Sequence, residues 1–422
     1  MLRKIPFLRG VINVDPVRFA PAYIMTKGSS LRATRPVILQ VLPALGTGGL
    51  ERGAVEIATA IQKAGGEAVV AARQGTLLVQ LHHAGADYVE LDLKKKSLWT
   101  ILRGARAIER IIREYGVDLV HARSRVPAWA AWLACRRVGV PMVTTWHGTH
   151  HATWWGKKLY NSALVRGTRV IAISRYIADR LTKEYGVTPE KLRLIPRGAD
   201  PVRFDPASVT GERIQRLAEA WDLPHGARVI LMPARLTRWK GQGVLVDALA
   251  KLRRLLPSGW VCVFIGPETD PAFAMWLSKR VSALELRSWV RFAGNCADMT
   301  AAYALADVVV APSLRPEPFG RTVVEAQLMG KPVIGTAQGA MMETIIPDET
   351  GVVIPPDDSD ALANELERLL TTEADTLAYL AENARAHVLR DYTVRKMQAA
   401  TLGVYDEILG SDLRQTFEGG EF

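Results

Sequence analysis

The residues of this sequence best suited to chemistry are Glu317 and Glu325, in the block EPFGRTVVEAQLMGKPVIGT at 317–336. An ionised carboxylate presents two acceptor oxygens, so each acid suits a pair of neighbouring hydroxyl groups. An apolar run ends at Ser313, a loop punctuated by proline follows, and a helix is expected from about Thr322. Glu317 then hangs in the loop and Glu325 lies about one turn into the helix. Gly320 and the first helical amides can meet an anion without obstruction. The competing reading makes Glu325 a solvated acid and Glu317 a helix cap; the block as a whole argues against it. A second group, PARLTRWKG at 233–241, sets Arg235 and Lys240 between an apolar run and a helix expected at about Lys240. Two cations beside helix amides make a cradle for a pyrophosphate.

Two further groups lie in the first half. LGTGGLERG (45–53) carries Gly48 and Gly49 after an apolar run, without the spacing of a dinucleotide-binding fingerprint. Tight strand-to-helix turns use glycine in any case. VTTWHGTHH (143–151) places His147 after another such run. A metal site using His147, His150 and His151 lacks an acidic or cysteine partner at useful spacing; no cofactor is expected. The plain alternative for His147 is a hydrogen-bonded structural histidine. His121 and Arg123, in VDLVHARSR, are candidates for contact with a second substrate, and Gly294, ending VRFAG, for contact with a nucleobase. Asp357, Asp358 and Asp360 precede a helix, where capping explains them more simply than a metal.

Elements able to position these groups are legible as two series of apolar runs. The first comprises 36–42, 67–72, 117–122, 141–146 and 169–174; the second 228–234, 261–266, 290–294, 307–313, 332–336 and 351–355. Helix-length segments such as 49–64, 97–115 and 126–139 lie between them. Near-continuous Val, Ile and Leu runs separated by helices predict parallel sheets covered on both faces. The expected fold class is α/β, with two Rossmann-like doubly wound domains facing across a cleft. The expected division is a leader at 1–34, an N-terminal domain at 35–205, a C-terminal domain at 206–390, and a tail at 391–422. That tail is read as one helix, about 393–409, packing back toward the first domain, then a polar end. Ligands of open parallel sheets bind outside the carboxyl ends of the strands, so the site belongs in the cleft.

The block at 317–336 resembles the signature of glycosyltransferase family 4, with two glutamates separated by seven residues and Phe-Gly shortly after the first. The resemblance implies the two-domain fold called GT-B, a nucleotide-diphosphate sugar as donor, and retention of anomeric configuration. It implies that Glu317 binds donor-sugar hydroxyls and Glu325 the ribose diol, with Phe319 and Gly320 lining the sugar through backbone amides. Arg235 and Lys240 would neutralise the leaving diphosphate, Gly48 and Gly49 would let the backbone approach donor phosphate or acceptor, and His147 would touch a sugar hydroxyl. A hexose-type sugar is expected to pass to a glycan acceptor, lipid-linked or of lipopolysaccharide type, without a bound metal.

The 422-residue chain carries a net charge of +11, unevenly spread: residues 1–205 hold 32 Lys and Arg against 15 Asp and Glu. An anionic partner for the first half follows. The segment 93–116 combines Lys94, Lys95 and Lys96 with Arg103, Arg106, Arg110 and Arg113. Leu98, Ile101, Leu102, Ala105, Ile108, Ile111 and Ile112 repeat at helical spacing and are read as its buried face. An ordinary solvated basic helix competes with a surface for anionic lipid headgroups, extended by Trp154, Trp155, Lys157 and Lys158. The leader at 1–34 is read as disordered or as a misassigned start, with Met25 the alternative, and a membrane-touching arm as the sharper option. Three scattered cysteines point to a cytoplasmic chain and no long apolar run to a membrane helix, while the basic first half and the family resemblance imply a peripheral place on the inner membrane face. Rivals are a nucleotide-sugar epimerase of the same fold, a silent sugar-binding scaffold, and a nucleic-acid-binding protein, the last unsupported by any stacking motif.

Overall fold

The computed structural model describes residues 35–46 and 48–420; the leader lies outside the described residues. Among the described residues thirteen strands form two sheets, and every pairing between them is parallel. The first sheet contains β1 (Val37–Ala44), β2 (Glu67–Arg73), β3 (Asp87–Glu90), β4 (Leu119–Ala122), β5 (Met142–Trp146), β6 (Arg169–Ala172) and β7 (Leu192–Leu194), in the order β3-β2-β1-β4-β5-β6-β7. The second contains β8 (Arg228–Pro233), β9 (Trp260–Ile265), β10 (Val290–Gly294), β11 (Val308–Ala311), β12 (Val333–Thr336) and β13 (Val352–Ile354), ordered β10-β9-β8-β11-β12-β13. Each apolar run read from the sequence is a strand. Two strands escaped that reading, β3 and β7, both short, half-exposed and at a sheet edge.

Alternation along β1 shows why the first sheet is covered twice. Val37, Leu39 and Val41 join a core with Ile108, Ile111 and Ala131. Ile38 and Leu42 join a separate core with Ile57, Ile61, Leu402 and Tyr405. Strand β9 repeats the device, with Val261, Val263 and Ile265 on one face and Trp260, Cys262 and Phe264 on the other.

The chain crosses between the lobes twice, and the crossings are bonded to each other. Ala199 N–H donates to Tyr392 O at 2.9 Å, and Val394 N–H to Ala199 O at 2.9 Å. A Cβ on Gly198 would lie 2.2 Å from the Thr393 carbonyl carbon, so only glycine fits there. After the second crossing, the helix Val394–Leu409 packs on the helix Gly49–Lys63 of the first lobe, where Gln398 Nε2 donates to Glu56 O at 2.7 Å. The polar end expected beyond it instead forms a helix, Leu413–Gly419, whose Leu413 and Phe417 are buried in that lobe's core. Leu413 and Phe417 stand four residues apart with Arg414, Gln415 and Thr416 between them, which hid its apolar side.

Candidate active site

Strand order reverses between β1 and β4 in the first sheet and between β8 and β11 in the second. Such a reversal parts the loops that follow the two strands and leaves a crevice. In the second lobe, the loops after β8 and β11 are sewn together: Leu314 N–H donates to Trp239 O at 2.8 Å. Gly241, at φ +84°, comes so near that an added Cβ would lie 1.8 Å from Pro312 O. Lys240 ends the short turn Arg238–Lys240, just before the helix Gln242–Leu255. Its Nζ donates to Glu317 Oε1 at 2.5 Å, and Ser313 Oγ donates to the same oxygen at 2.6 Å. Glu317 is buried, and its backbone is fixed by Ala340 N–H, which donates to Glu317 O at 3.0 Å. No bond from the described residues reaches Oε2. Arg235, in the loop after β8 that leads to Lys240, is exposed, its guanidinium unpaired among the described residues.

Helix Arg321–Leu328 starts directly at Gly320, whose φ of +85° favours glycine. Phe319 is buried, its ring centroid 5.7 Å from that of Tyr392, so only its backbone can face a ligand. Glu325 is buried too. Arg321 Nε donates to Glu325 Oε1 at 3.0 Å and Tyr303 OH to Oε2 at 3.0 Å. Arg321 Nη2 also donates across the lobes to Glu56 Oε1 at 2.8 Å. Burial opposes the Arg321 charge, but Glu56 and Glu325 together hold its pKa above the ordinary value. Burial, then the Glu325 carboxylate, pushes the Tyr303 phenol well above its usual range. Arg321, Glu56, Tyr303 and Ser313 were missed in the sequence. Arg321 stands four residues before Glu325, an ion-pair spacing on a helix, and was the one available signal. Gly294 is exposed at the end of edge strand β10, away from these acids in strand order.

On the first lobe, Gly48 caps the helix Gly49–Lys63 with extended backbone, and Gly49 has no neighbouring atom within 4 Å of an added Cβ. Gly53 answers to a different need, since its Cβ would lie 1.9 Å from Arg197 Nη1. His121 and Arg123 do not face the cleft. His121 is fully buried, its Nδ1 hydrogen-bonded to Tyr405 OH at 2.6 Å and its Nε2 to Thr145 Oγ1 at 2.7 Å. Arg123, buried beside it, donates from Nε to Gln40 Oε1 at 2.9 Å. His147 follows β5, but both ring nitrogens are buried without a partner, in a cavity of about 10 Å³ shared with His121, Arg123, Thr145 and Arg197. Burial, then Arg197 and Arg123, keeps its imidazole well below the usual pKa and therefore neutral. Among the described residues no group of three or more His, Cys, Asp or Glu could hold a metal ion.

A family model described as Glycosyl transferases group 1 matches residues 214–387, and one described as Glycosyltransferase Family 4 matches residues 47–203. A glycosyltransferase from Rickettsia africae, known from its crystal structure, is 34% identical, with a TM-score of 0.82 over 90% of this chain and 100% of that one. The chain belongs to the family 4, group 1 glycosyltransferases. The D-inositol 3-phosphate glycosyltransferase of Salinispora tropica is 31% identical over 69% of this chain and 64% of its own length. The fold is also that of HepE from Anabaena, solved with UDP and glucose, at a TM-score of 0.77 and 22% identity over 88% of this chain and 100% of that one.

The first lobe of this glycosyltransferase exposes aromatic and basic residues at the starts of two helices. The helix Leu98–Tyr115 buries Ala105, Ile108, Ile111 and Ile112, but Leu98 and Trp99 in its first turn are 69% and 81% exposed. Leu102 is also exposed, so the apolar stripe read from spacing enters the core only after the first turn. Trp154 and Trp155 are 59% and 78% exposed at the start of the helix Trp155–Asn161. Lys94, Lys95, Lys96, Arg103, Arg106 and Arg110 are exposed around the first of these turns. Among the described residues no helix is long and apolar enough to cross a membrane.

Proposed function

We propose that this glycosyltransferase moves a hexose-type sugar from a nucleotide-diphosphate donor to a lipid-linked or lipopolysaccharide-type glycan at an anionic membrane face. The observation that carries the donor half is the buried Glu317 held by Lys240, with the exposed Arg235 five residues earlier in the same loop. Glu317 Oε2 accepts from donor-sugar hydroxyls while Lys240 fixes Oε1. The bond from the anomeric carbon to the β-phosphate oxygen breaks, and its electron pair goes to that oxygen, facing Lys240 and Arg235. Stabilising that new charge acts mainly in the transition state. The acceptor hydroxyl oxygen bonds to the anomeric carbon from the same face, and its proton passes to the departing phosphate. Configuration is therefore retained, and no metal is needed. Glu325 accepts from the ribose diol, and Gly48 and Gly49 leave room for the donor phosphate or acceptor. His147, neutral, serves a sugar hydroxyl once the occupied cleft frees its ring.

Thermal shift with UDP-, GDP- and ADP-sugars, run beside Glu325→Ala, tests the donor assignment. A donor at about 100 times its Kd adds about 2.7 kcal/mol of stability. One nucleotide series should stabilise the wild type and fail on the variant; no response to any series would remove the assignment. The acceptor half rests on Trp99, Trp154 and Trp155 amid exposed lysine and arginine, each cation adding roughly 1 kcal/mol near an anionic bilayer. Cosedimentation with phosphatidylglycerol vesicles should exceed that with phosphatidylcholine and fall in Trp99→Ser/Trp155→Ser. Equal binding to both lipids would count against a membrane-held acceptor.

A further inference from the structure

Arg321 joins two carboxylates that belong to different lobes. Its Nε holds Glu325 Oε1 at 3.0 Å and its Nη2 holds Glu56 Oε1 at 2.8 Å, so one planar group spans the junction. Tyr303 OH holds the other oxygen of Glu325 at 3.0 Å. A carboxylate has about four acceptor directions, two on each oxygen. Arg321 and Tyr303 take one on each, which fixes the rotation of the group and leaves one on each oxygen. That remainder is a matched pair, the pattern a vicinal diol requires. Arg321 cannot set this rotation unless its own plane is fixed, and a guanidinium is fixed best by a second carboxylate in the fork. That second carboxylate is Glu56, which the first lobe supplies on the helix Gly49–Lys63.

We propose that Glu56 and Arg321 are positioning residues through which contact between the lobes sets the ribose selectivity of the donor site. The proposal rests on the reading of Glu325 as the acid that binds the ribose diol. With the lobes in contact, Glu325 is aligned for both hydroxyls; with Glu56 withdrawn, Arg321 swings and the alignment is lost. Nucleotide affinity then reports closure through the sugar of the nucleoside, separately from the phosphates.

The test compares UDP with 2′-deoxy-UDP by calorimetry on the full chain, the GDP or ADP pair replacing it where that nucleotide is the one bound. A hydroxyl donating to a buried carboxylate gives the wild type a preference for the ribose form of about tenfold. In Glu56→Gln that preference should fall to about twofold or less, with 2′-deoxy binding unchanged. A merely structural contact would weaken both ligands by one factor and leave the ratio intact, which overturns the proposal. Glu325→Gln separates the two levels. A ratio that survives Glu325→Gln removes the ribose reading itself. A ratio lost in Glu325→Gln but kept in Glu56→Gln leaves the ribose reading standing and removes only the relay. If no nucleoside diphosphate binds, the reading falls and the relay with it.

Discussion

Histidines wholly or partly buried at the head of the first sheet have a measurable cost in acid. His121 and His147 are pushed well below their usual pKa, chiefly by burial, and His150 is pushed down to about 4 by burial and then Arg125. All three are neutral in the folded chain, whereas in the unfolded chain they take up a proton below about pH 6.5. The unfolded state then binds more protons, so stability falls as pH falls from about 6.5 toward the depressed folded values. Each histidine contributes a slope of up to about 1.4 kcal/mol per pH unit in that window. Urea midpoints measured at pH 7, 6 and 5 should fall steadily, and His121→Gln should flatten the fall. A midpoint independent of pH over this range would contradict the buried, neutral assignment. The same contacts explain why His121 misled the sequence reading. Its motif ends a strand of the first sheet, but two hydroxyls claim its ring, those of Thr145 and of Tyr405, the latter 284 residues later.

At the scale of elements, the strand-loop-helix turns carry the chemistry, and their glycines fall into two kinds. Gly241 has positive φ and faces the Pro312 carbonyl, whereas Gly49 opens its helix with nothing near its absent side chain. Gly241→Ala should destabilise by more than about 1 kcal/mol, since strain adds to collision. Gly49→Ala should leave stability equal or higher, by up to about 1 kcal/mol, while weakening donor or acceptor binding. Denaturation midpoints and donor titrations of both variants decide this; normal ligand affinity in a stable Gly49→Ala would deny the loop its proposed place in the site. These turns were legible because each is local: Arg235 with Lys240, and Glu317 with Glu325, lie within one loop and its helix. Central strands were legible for a similar reason, being unbroken Val, Ile and Leu runs buried on both faces. Edge strands β3 and β7 were not, because polar residues such as the exposed Asp87 and the half-buried Arg193 dilute the pattern.

At the scale of the whole molecule, the lobes meet through charged and polar contacts as well as through the paired crossings. Glu343, from the second lobe, accepts from Arg175 N–H and Tyr176 N–H at 2.7 Å each, capping a helix of the first. Together with Glu56 and Arg321, separated by 265 residues, it ties the two sheets at places no local pattern could reveal. Loss of the tail should therefore be felt in the first lobe. A chain ending at Asp391 lacks Met397, Leu402, Tyr405 and Phe417, all buried in the first lobe's core. Its first lobe should be open to proteolysis, with the second still protected; resistance of both would mean that the tail only decorates the surface.

That arrangement also reverses the usual order of birth on the ribosome. Domains generally fold in the sequence in which they are synthesised. Here the lobe made first stays unfinished until residues 394–419, made after the second lobe, have cleared the exit tunnel, because they supply one face of its interior. The lobe made second closes on residues that are contiguous, and it can settle while its elder neighbour waits. During that interval the apolar face around Ile57 and Ile61 lies bare, and it is there that a nascent-chain chaperone would find its longest-lived client surface.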